Sequence, residues 1–427
     1  MNTAQMLSAL ATGRLNAKLT SLYGAENLDF QINRFTAAIE KFAALFGADR
    51  EIELFSVSGR SELSGNHTDH NHGRVIAASI DLDIIAVASK NNENRVRMHS
   101  EGFTAREVDL NTFTSPQIPV AGTADELIAG MAVGLRNHGY LTGGFDAYTT
   151  SSVLKGSGLS SSAAFENMVG TIFSHIYNNG CVDNVEIAKI AQYAENVFFG
   201  KPCGLMDQIA CAVGGIVAID FATPKEPIIE RLNFDLSEAG YKLCIVNTGG
   251  NHADLTADYA AVPTEMKAIA AHFGKEVLRE VDEQDVINAI PQLRKMLGDR
   301  AILRALHFYA ENRRVAAQKA ALEANDLDTF LENVRASGSS SFCYLQNVYT
   351  NQNPNEQGIS LALCLAERLL ANEKAAWRVH GGGFAGTIQA FVPNKLADEY
   401  KRTMEAAFGE GSCLALRVRP VGATKIS

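Results

Sequence analysis

A chain of 427 residues with 46 % hydrophobic side chains, 35 glycines and a single tryptophan is long enough to bury two cores. It carries 38 basic against 48 acidic residues, a net charge of −10 without any Lys/Arg block, which excludes a binder held by nucleic-acid phosphates. Its seven cysteines, scattered from Cys181 to Cys413, form no C-x-x-C pair, and no window nears the roughly eighteen apolar residues of a membrane span. The expectation is a soluble protein of the reducing cytoplasm, monomeric, with neither nucleic acid nor membrane as partner.

In chain order, Phe35, Ile39, Phe42 and Leu45 recur at helical spacing, and alternation over 51–57 predicts a strand. Residues 60–74 break every period. Three of the ten histidines fall between His67 and His72, among Asn66, Thr68, Asp69 and Asn71, and so polar a knot reads as a functional loop. Ile76, Ala78, Ile80, Leu82 and Ile84 alternate as a half-buried strand, expected to pair with 95–99 through the Asn-rich turn at 91–94. Thr123 and Glu126 make a capping box for a helix that Gly139 stops. A strand over 145–154 then delivers GSGLSSSAAFE, residues 156–166, at the start of a helix that ends at Gly180. Asp183 opens the next helix, with Ile187, Ile190, Ala194 and Val197 on its apolar stripe, and strands follow at 215–220 and 242–247. Residues 258–372 read as successive helices. A helix to Leu370, strands at 377–380 and 387–392, a helix through Tyr400 and Met404, and a strand at 413–418 suggest a ferredoxin-like α+β half. The seam between two domains falls near 215–245.

Four segments could carry chemistry. In the glycine-serine run, Gly156 and Gly158 allow close backbone approach, and the amides and dipole of the following helix favour an anion; capping by Ser160, Ser161 and Ser162 is the bland alternative. GGGFAG at 381–386 fits G-x-G-x-x-G but leads into a strand, so it reads as a tight turn and not a dinucleotide site. His67, His70, His72 and Asp69 match no familiar zinc spacing and suit sugar hydroxyls or phosphate better than a metal. Glu195 sits in AENVFFG and Asp207 in CGLMDQ, the latter surrounded by the apolar Leu205, Met206 and Ile209, where a carboxylate needs a cap, solvent or a function; Arg60 taken alone is a surface charge.

Together GRSELSGNHTDHNHG (59–73), GSGLSSSAA (156–164), KPCGLMDQ (201–208) and HGGGFAG (380–386) resemble the motifs of galactokinases within the GHMP kinase superfamily, across about 330 residues. That resemblance implies two lobes, a ribosomal-S5-domain-2-like lobe over 1–225 and a ferredoxin-like lobe over 226–427 whose last strand can return to the first. It implies ATP-dependent phosphorylation of the anomeric hydroxyl of galactose, with ATP and Mg²⁺ as cofactors. By position, Gly156, Ser157, Gly158, Leu159, Ser160, Ser161 and Ser162 would hold the ATP phosphates, and Ser162 and Glu195 the Mg²⁺. Asp207 would serve the anomeric hydroxyl with Arg60 facing it, while Asn66, His67, Thr68, Asp69, Gly204 and Tyr259 would bind the sugar. The chain departs from the family's GEHTDY at Asn66 and His70, has SELSG for VNLIG, and has Ala385 where a Gly is usual. Asn66 in place of a Glu near the C6 hydroxyl keeps another galacto-configured sugar, such as a uronic acid, as an alternative substrate. A non-catalytic galactose sensor is the second alternative, which the complete GLSSSAA element disfavours.

Overall fold

The computed structural model describes residues 1–112, 122–153, 158–201, 203–250 and 255–427. The first 46 residues form α1 (Thr3–Ala11), α2 (Asn16–Tyr23) and α3 (Leu28–Phe46). Phe35, Ile39 and Phe42 are buried as their spacing predicts, whereas Leu45, in the last turn, is exposed. Met6, Leu10, Leu19 and Leu22 join them against Leu54, Ile85 and Val87, so the leader covers one face of a sheet.

That sheet begins with β1 (Glu53–Ser64), longer than expected. Arg60 is therefore a strand residue and 8 % exposed, not a surface charge. Ser56, Ser58, Ser61 and Ser64, all buried, interrupt its apolar alternation, so periodicity does not reveal the strand's second half. It pairs antiparallel with β2 (Arg74–Lys90), with register shifts between Ser58 and Arg60 and between Glu62 and Ser64. β3 (Arg95–Ser100) and β4 (Arg106–Asp109) follow, then α4 (Ala124–Asn137) and β5 (Phe145–Ser151). The expected β2–β3 hairpin does not form. β5 lies between them, antiparallel to β2 and parallel to β3, a connection that needs the crossover α4 supplies. The Asn-rich turn works for this splice, since Asn91 N donates to Gly144 O at 2.9 Å and Asn91 Nδ2 to Asp146 Oδ1 at 2.8 Å.

Next come α5 (Ser161–Asn178), α6 (Asn184–Tyr193), α7 (Met206–Val213), β6 (Ile216–Asp220) and β7 (Ile228–Leu232). β7 was not legible, being an edge strand with exposed side chains, Ile228 among them. The chain continues through β8 (Tyr241–Asn247), α8 (Thr256–His272), α9 (Glu283–Asn288), α10 (Ile290–Leu297), α11 (Asp299–Glu323) and α12 (Leu327–Ser340). α13 (Gly358–Leu370), β9 (Ala376–Val379), β10 (Thr387–Pro393), α14 (Ala397–Phe408), β11 (Cys413–Leu416) and β12 (Thr424–Lys425) complete it.

Two sheets organise these elements among the described residues. The first runs β12-β1-β2-β5-β3-β4, with β6 joining β2 to β7; the second runs β11-β8-β10-β9, antiparallel throughout. Numbered along the second sheet, that order is 4-1-3-2, the ferredoxin-like arrangement, with β8 as its first strand. The last strand does return to the first lobe, Phe55 pairing with Lys425. The lobes share a core in which Leu63, Ile76 and Ile80 meet Leu243, Ile245, Val315 and Phe330. All seven cysteines are free thiols, and among the described residues no helix is long and apolar enough to cross a membrane.

Candidate active site

The site is built where β1, α5 and α7 converge above the shared core. Ser160 precedes α5 in a left-handed conformation at φ 59°, and Gly158 has φ 72°. Such backbone is ordinary for Gly and uncommon for Ser. The Ser160 side chain does not cap the helix. It donates instead to Asp207 Oδ2, leaving the first amides of α5 open to an anion. Leu159 is buried, and its carbonyl accepts from Arg60 N at 3.1 Å, which fixes the turn on β1. Gly156 and Ser157 lie outside the described residues.

Asp207 sits in the first turn of α7 and meets Arg60 in a two-pronged ion pair, Nε to Oδ1 and Nη2 to Oδ2, both 2.7 Å. Its side chain is 34 % exposed against 10 % for Arg60, so the acid faces the cleft and the cation backs it. Arg60 Nη1 also donates to Gly158 O, locking the cation to the turn before α5. Burial pushes the Asp207 carboxyl up, but the Arg60 charge and the Arg60 and Ser160 hydrogen bonds outweigh it and hold the group below its ordinary value. An ionised carboxylate beside an open helix N-terminus can orient a hydroxyl toward a bound phosphoryl group.

Glu195 reaches this cluster through a local irregularity. After α6 the chain widens into a π turn, Ala194–Phe198, which shifts the helical phase by one residue. Phe198 then fills the core position expected of Val197, Val197 points out, and Glu195 is buried. Its carboxylate accepts from Lys201 Nζ at 2.9 Å and Gln208 Nε2 at 2.8 Å. Gln208 Nε2 also meets Glu166 Oε2 at 3.3 Å. Burial, then the Glu195 charge, push Glu166 well above the usual carboxylate range. Glu166 and Gln208 received no role from sequence, although Glu166 lies one helical turn after Ser162 and so shares its face. Glu166 Oε1 and Gln208 Oε1 are buried without a partner.

The polar loop after β1 folds against the GGGFAG turn. Thr68 is fully buried and donates to Gly65 O and Arg74 O, holding the loop's own shape. The His67 ring Nε2 lies 2.9 Å from Gly382 O and Nδ1 lies 3.3 Å from His70 Nε2, while His70 Nδ1 meets Asn71 Nδ2 at 2.8 Å. Burial lowers His67 to about 4 and His70 well below the usual value, so both are neutral. Among the described residues no group of three or more His, Cys, Asp or Glu is arranged to hold a metal ion. Asn66 is wholly buried, and the Tyr259 hydroxyl donates to Gly383 O at 2.8 Å. The turn itself is as expected, a link between β9 and β10, with Phe384 at φ 58°. His380 just before it lies 3.1 Å from Ser61 Oγ through Nε2, and its Nδ1 lies 3.6 Å from where a Gly158 Cβ would stand.

Asp69 closes the ring. Burial, and less strongly the Asp207 charge, raise its carboxyl above the ordinary value. A Cβ on Gly204 would stand 2.8 Å from Asp69 Oδ2. Gly204→Ala should therefore displace Asp69 and, on the sugar-binding role that the motif resemblance implies for this loop, raise the sugar KM on the order of ten- to a hundredfold, with the melting temperature unchanged. Steady-state kinetics beside a thermal melt checks this; an unchanged KM would mean that Asp69 is not read by the substrate.

Comparison with known proteins fits this geometry. Residues 126–215 match the family described as "GHMP kinases N terminal domain", and residues 40–90 the "Galactokinase galactose-binding signature". The chain is similar to the galactokinase of Streptomyces coelicolor, 29 % identical over 385 residues and covering 89 % of this chain and 94 % of the relative. The galactokinase of Clostridium acetobutylicum is 28 % identical over 386 residues, covering 87 % and 92 %. Among solved structures, Lactococcus lactis galactokinase complexed with galactose superposes with a TM-score of 0.74 at 25 % identity, over 90 % of this chain and 98 % of that one. Methanococcus jannaschii mevalonate kinase shares the fold, with a TM-score of 0.60 at 14 % identity over 87 % and 98 %.

Proposed function

We infer that this chain, a member of the galactokinase family of GHMP kinases, transfers the terminal phosphoryl group of ATP to the anomeric hydroxyl of galactose, giving galactose 1-phosphate and ADP. The observation that carries this reading is the Ser160 bond to Asp207, which puts the anion-binding helix end and the ionised acid side by side. In the proposed reaction the α5 amides, with Gly158 to Ser162, bind the phosphates, a role the motif also implies for Gly156 and Ser157. Asp207 accepts the hydrogen bond of the anomeric hydroxyl and takes its proton as the oxygen attacks phosphorus. Arg60 keeps Asp207 charged and neutralises charge spreading over the phosphoryl oxygens. Asp69, Gly204, His67, Thr68, Asn66 and Tyr259 shape the sugar pocket.

Mg²⁺ completes the proposal. The Ser162 hydroxyl and the Glu195 carboxylate would hold the ion, and the buried, unpartnered oxygens of Glu166 and Gln208, joined to Glu195 through Gln208 Nε2, would add donors of the oxygen type that suits a hard cation. When bound, the ion would offset phosphate charge. Its site residues are joined to the Asp207 helix through Gln208, the neighbouring residue. Seven free thiols suit a reducing cytoplasm, the compartment we propose. We place the lobe boundary between Leu232 and Tyr241, because β7 pairs with β6 in the first sheet and β8 opens the second.

An ADP-release assay across free monosaccharides tests the reading: galactose should support turnover, and activity confined to galacturonate would reject it. The pH profile gives a second check. Removing the Arg60 charge takes away the strongest of the effects that oppose burial at Asp207 and leaves only the Ser160 hydrogen bond and the Lys201 charge, so its pKa rises, and the acid limb of kcat in Arg60→Met should move to higher pH than in wild type. Coincident acid limbs would remove Arg60 from this role.

A further inference from the structure

Asn66 is spent entirely on the protein. Its N–H donates to Glu311 Oε1 at 3.3 Å, and its carbonyl oxygen lies 3.0 Å from His307 Nε2. Its side-chain Nδ2 donates to Gly381 O at 2.6 Å and Glu62 Oε1 at 3.3 Å, and Oδ1 accepts from Asn347 Nδ2 at 2.8 Å and Ser341 Oγ at 3.3 Å. The amide orientation is dictated by its surroundings, because a backbone carbonyl can only accept. These partners come from β1, α11, the turn after α12 and the turn after β9, so one buried residue ties the polar loop to both the second lobe and the GGGFAG turn. Glu311 strengthens the same point, also accepting from Gly65 N at 3.2 Å and Ser337 Oγ at 2.6 Å.

We propose that Asn66 is a positioning residue that pins the sugar-binding loop to the Gly381–Gly382 backbone and does not itself touch the sugar. Residue 66 thus leaves the C6 end of the substrate unread, and the inference rests on the sugar-kinase reading above. A carboxylate at this position could not serve, since it offers only acceptors to the Gly381 carbonyl.

Calorimetric binding of galactose and 6-deoxygalactose to wild type, Asn66→Ala and Asn347→Ala separates the roles, with hydrogen exchange of the sugar-free proteins alongside. Asn66→Ala should weaken both sugars by the same factor, on the order of ten- to a hundredfold, because a pin is blind to the C6 hydroxyl. ATP affinity should hold, and exchange should rise over 65–72 and 380–386 before any sugar is added. Asn347→Ala, which removes a donor to Asn66 Oδ1, should act in the same direction and carries the comparison if Asn66→Ala does not fold. Weakening of galactose alone, or unchanged exchange in the sugar-free variant, would overturn the pin. If 6-deoxygalactose binds too weakly to titrate, the exchange result decides. Wild type that binds no galactose would instead refute the sugar-kinase reading.

Discussion

Asp207→Asn is expected to cut ADP release about 10²- to 10⁴-fold with every sugar tried, while ATP binding survives. Asn preserves the shape of the side chain but not its charge, so the anomeric proton loses its acceptor and Arg60 loses its ion partner. The amides proposed to bind phosphate belong to α5, whose own helical hydrogen bonds do not involve Asp207, which is why nucleotide affinity should persist. Coupled-assay kinetics with calorimetric ATP titration checks both halves. Unimpaired turnover would strip Asp207 of its role; loss of ATP binding would show that the acid holds the helix end in place.

Asp83→Ala should destabilise the fold by about 3–5 kcal/mol, read as a fall in the urea midpoint. Asp83 is fully buried on β2 and receives Tyr23 Oη, Ser56 Oγ, Arg34 Nη1 at 2.5 Å and Arg419 Nη1 at 3.1 Å. These partners join the leader, α3, β1 and the C-terminal return to one carboxylate, and its loss leaves the wholly buried Arg419 without that charge. Burial opposes ionisation, but Arg34 and Arg419 prevail and lower the Asp83 pKa. A carboxyl depressed in the folded state stabilises above its ordinary value of 3.8, and that contribution fades as pH falls through the folded value. The gap in stability between wild type and Asp83→Ala should therefore be full near neutrality and shrink in acid. A gap independent of pH would mean the variant acts through packing alone.

Much of the site was legible because its motifs are local. Gly158 and Ser160 take left-handed backbone that a glycine-serine turn before a helix announces, and the capping box at Thr123 and Glu126 forms as read. What escaped was set by tertiary structure. Serines along β1 concealed the strand that carries Arg60, because they are buried against neighbouring elements and not against an apolar face. A one-residue π turn, invisible to a 3.6-residue period, turned Glu195 inward. The Asp83 knot joins Tyr23 to Arg419, and no local pattern signals such a pairing. The insertion of β5 between β2 and β3 is likewise a choice of topology that alternation cannot express.

Phosphorus and proton NMR of the product formed from ATP and galactose reads the position of transfer directly. The juxtaposition of the α5 amides with Asp207 predicts a single new phosphate coupled to the anomeric proton, produced in step with ADP. Phosphate coupled to any other sugar proton, or galactose recovered unchanged while authentic galactokinase converts it under the same conditions, would contradict it.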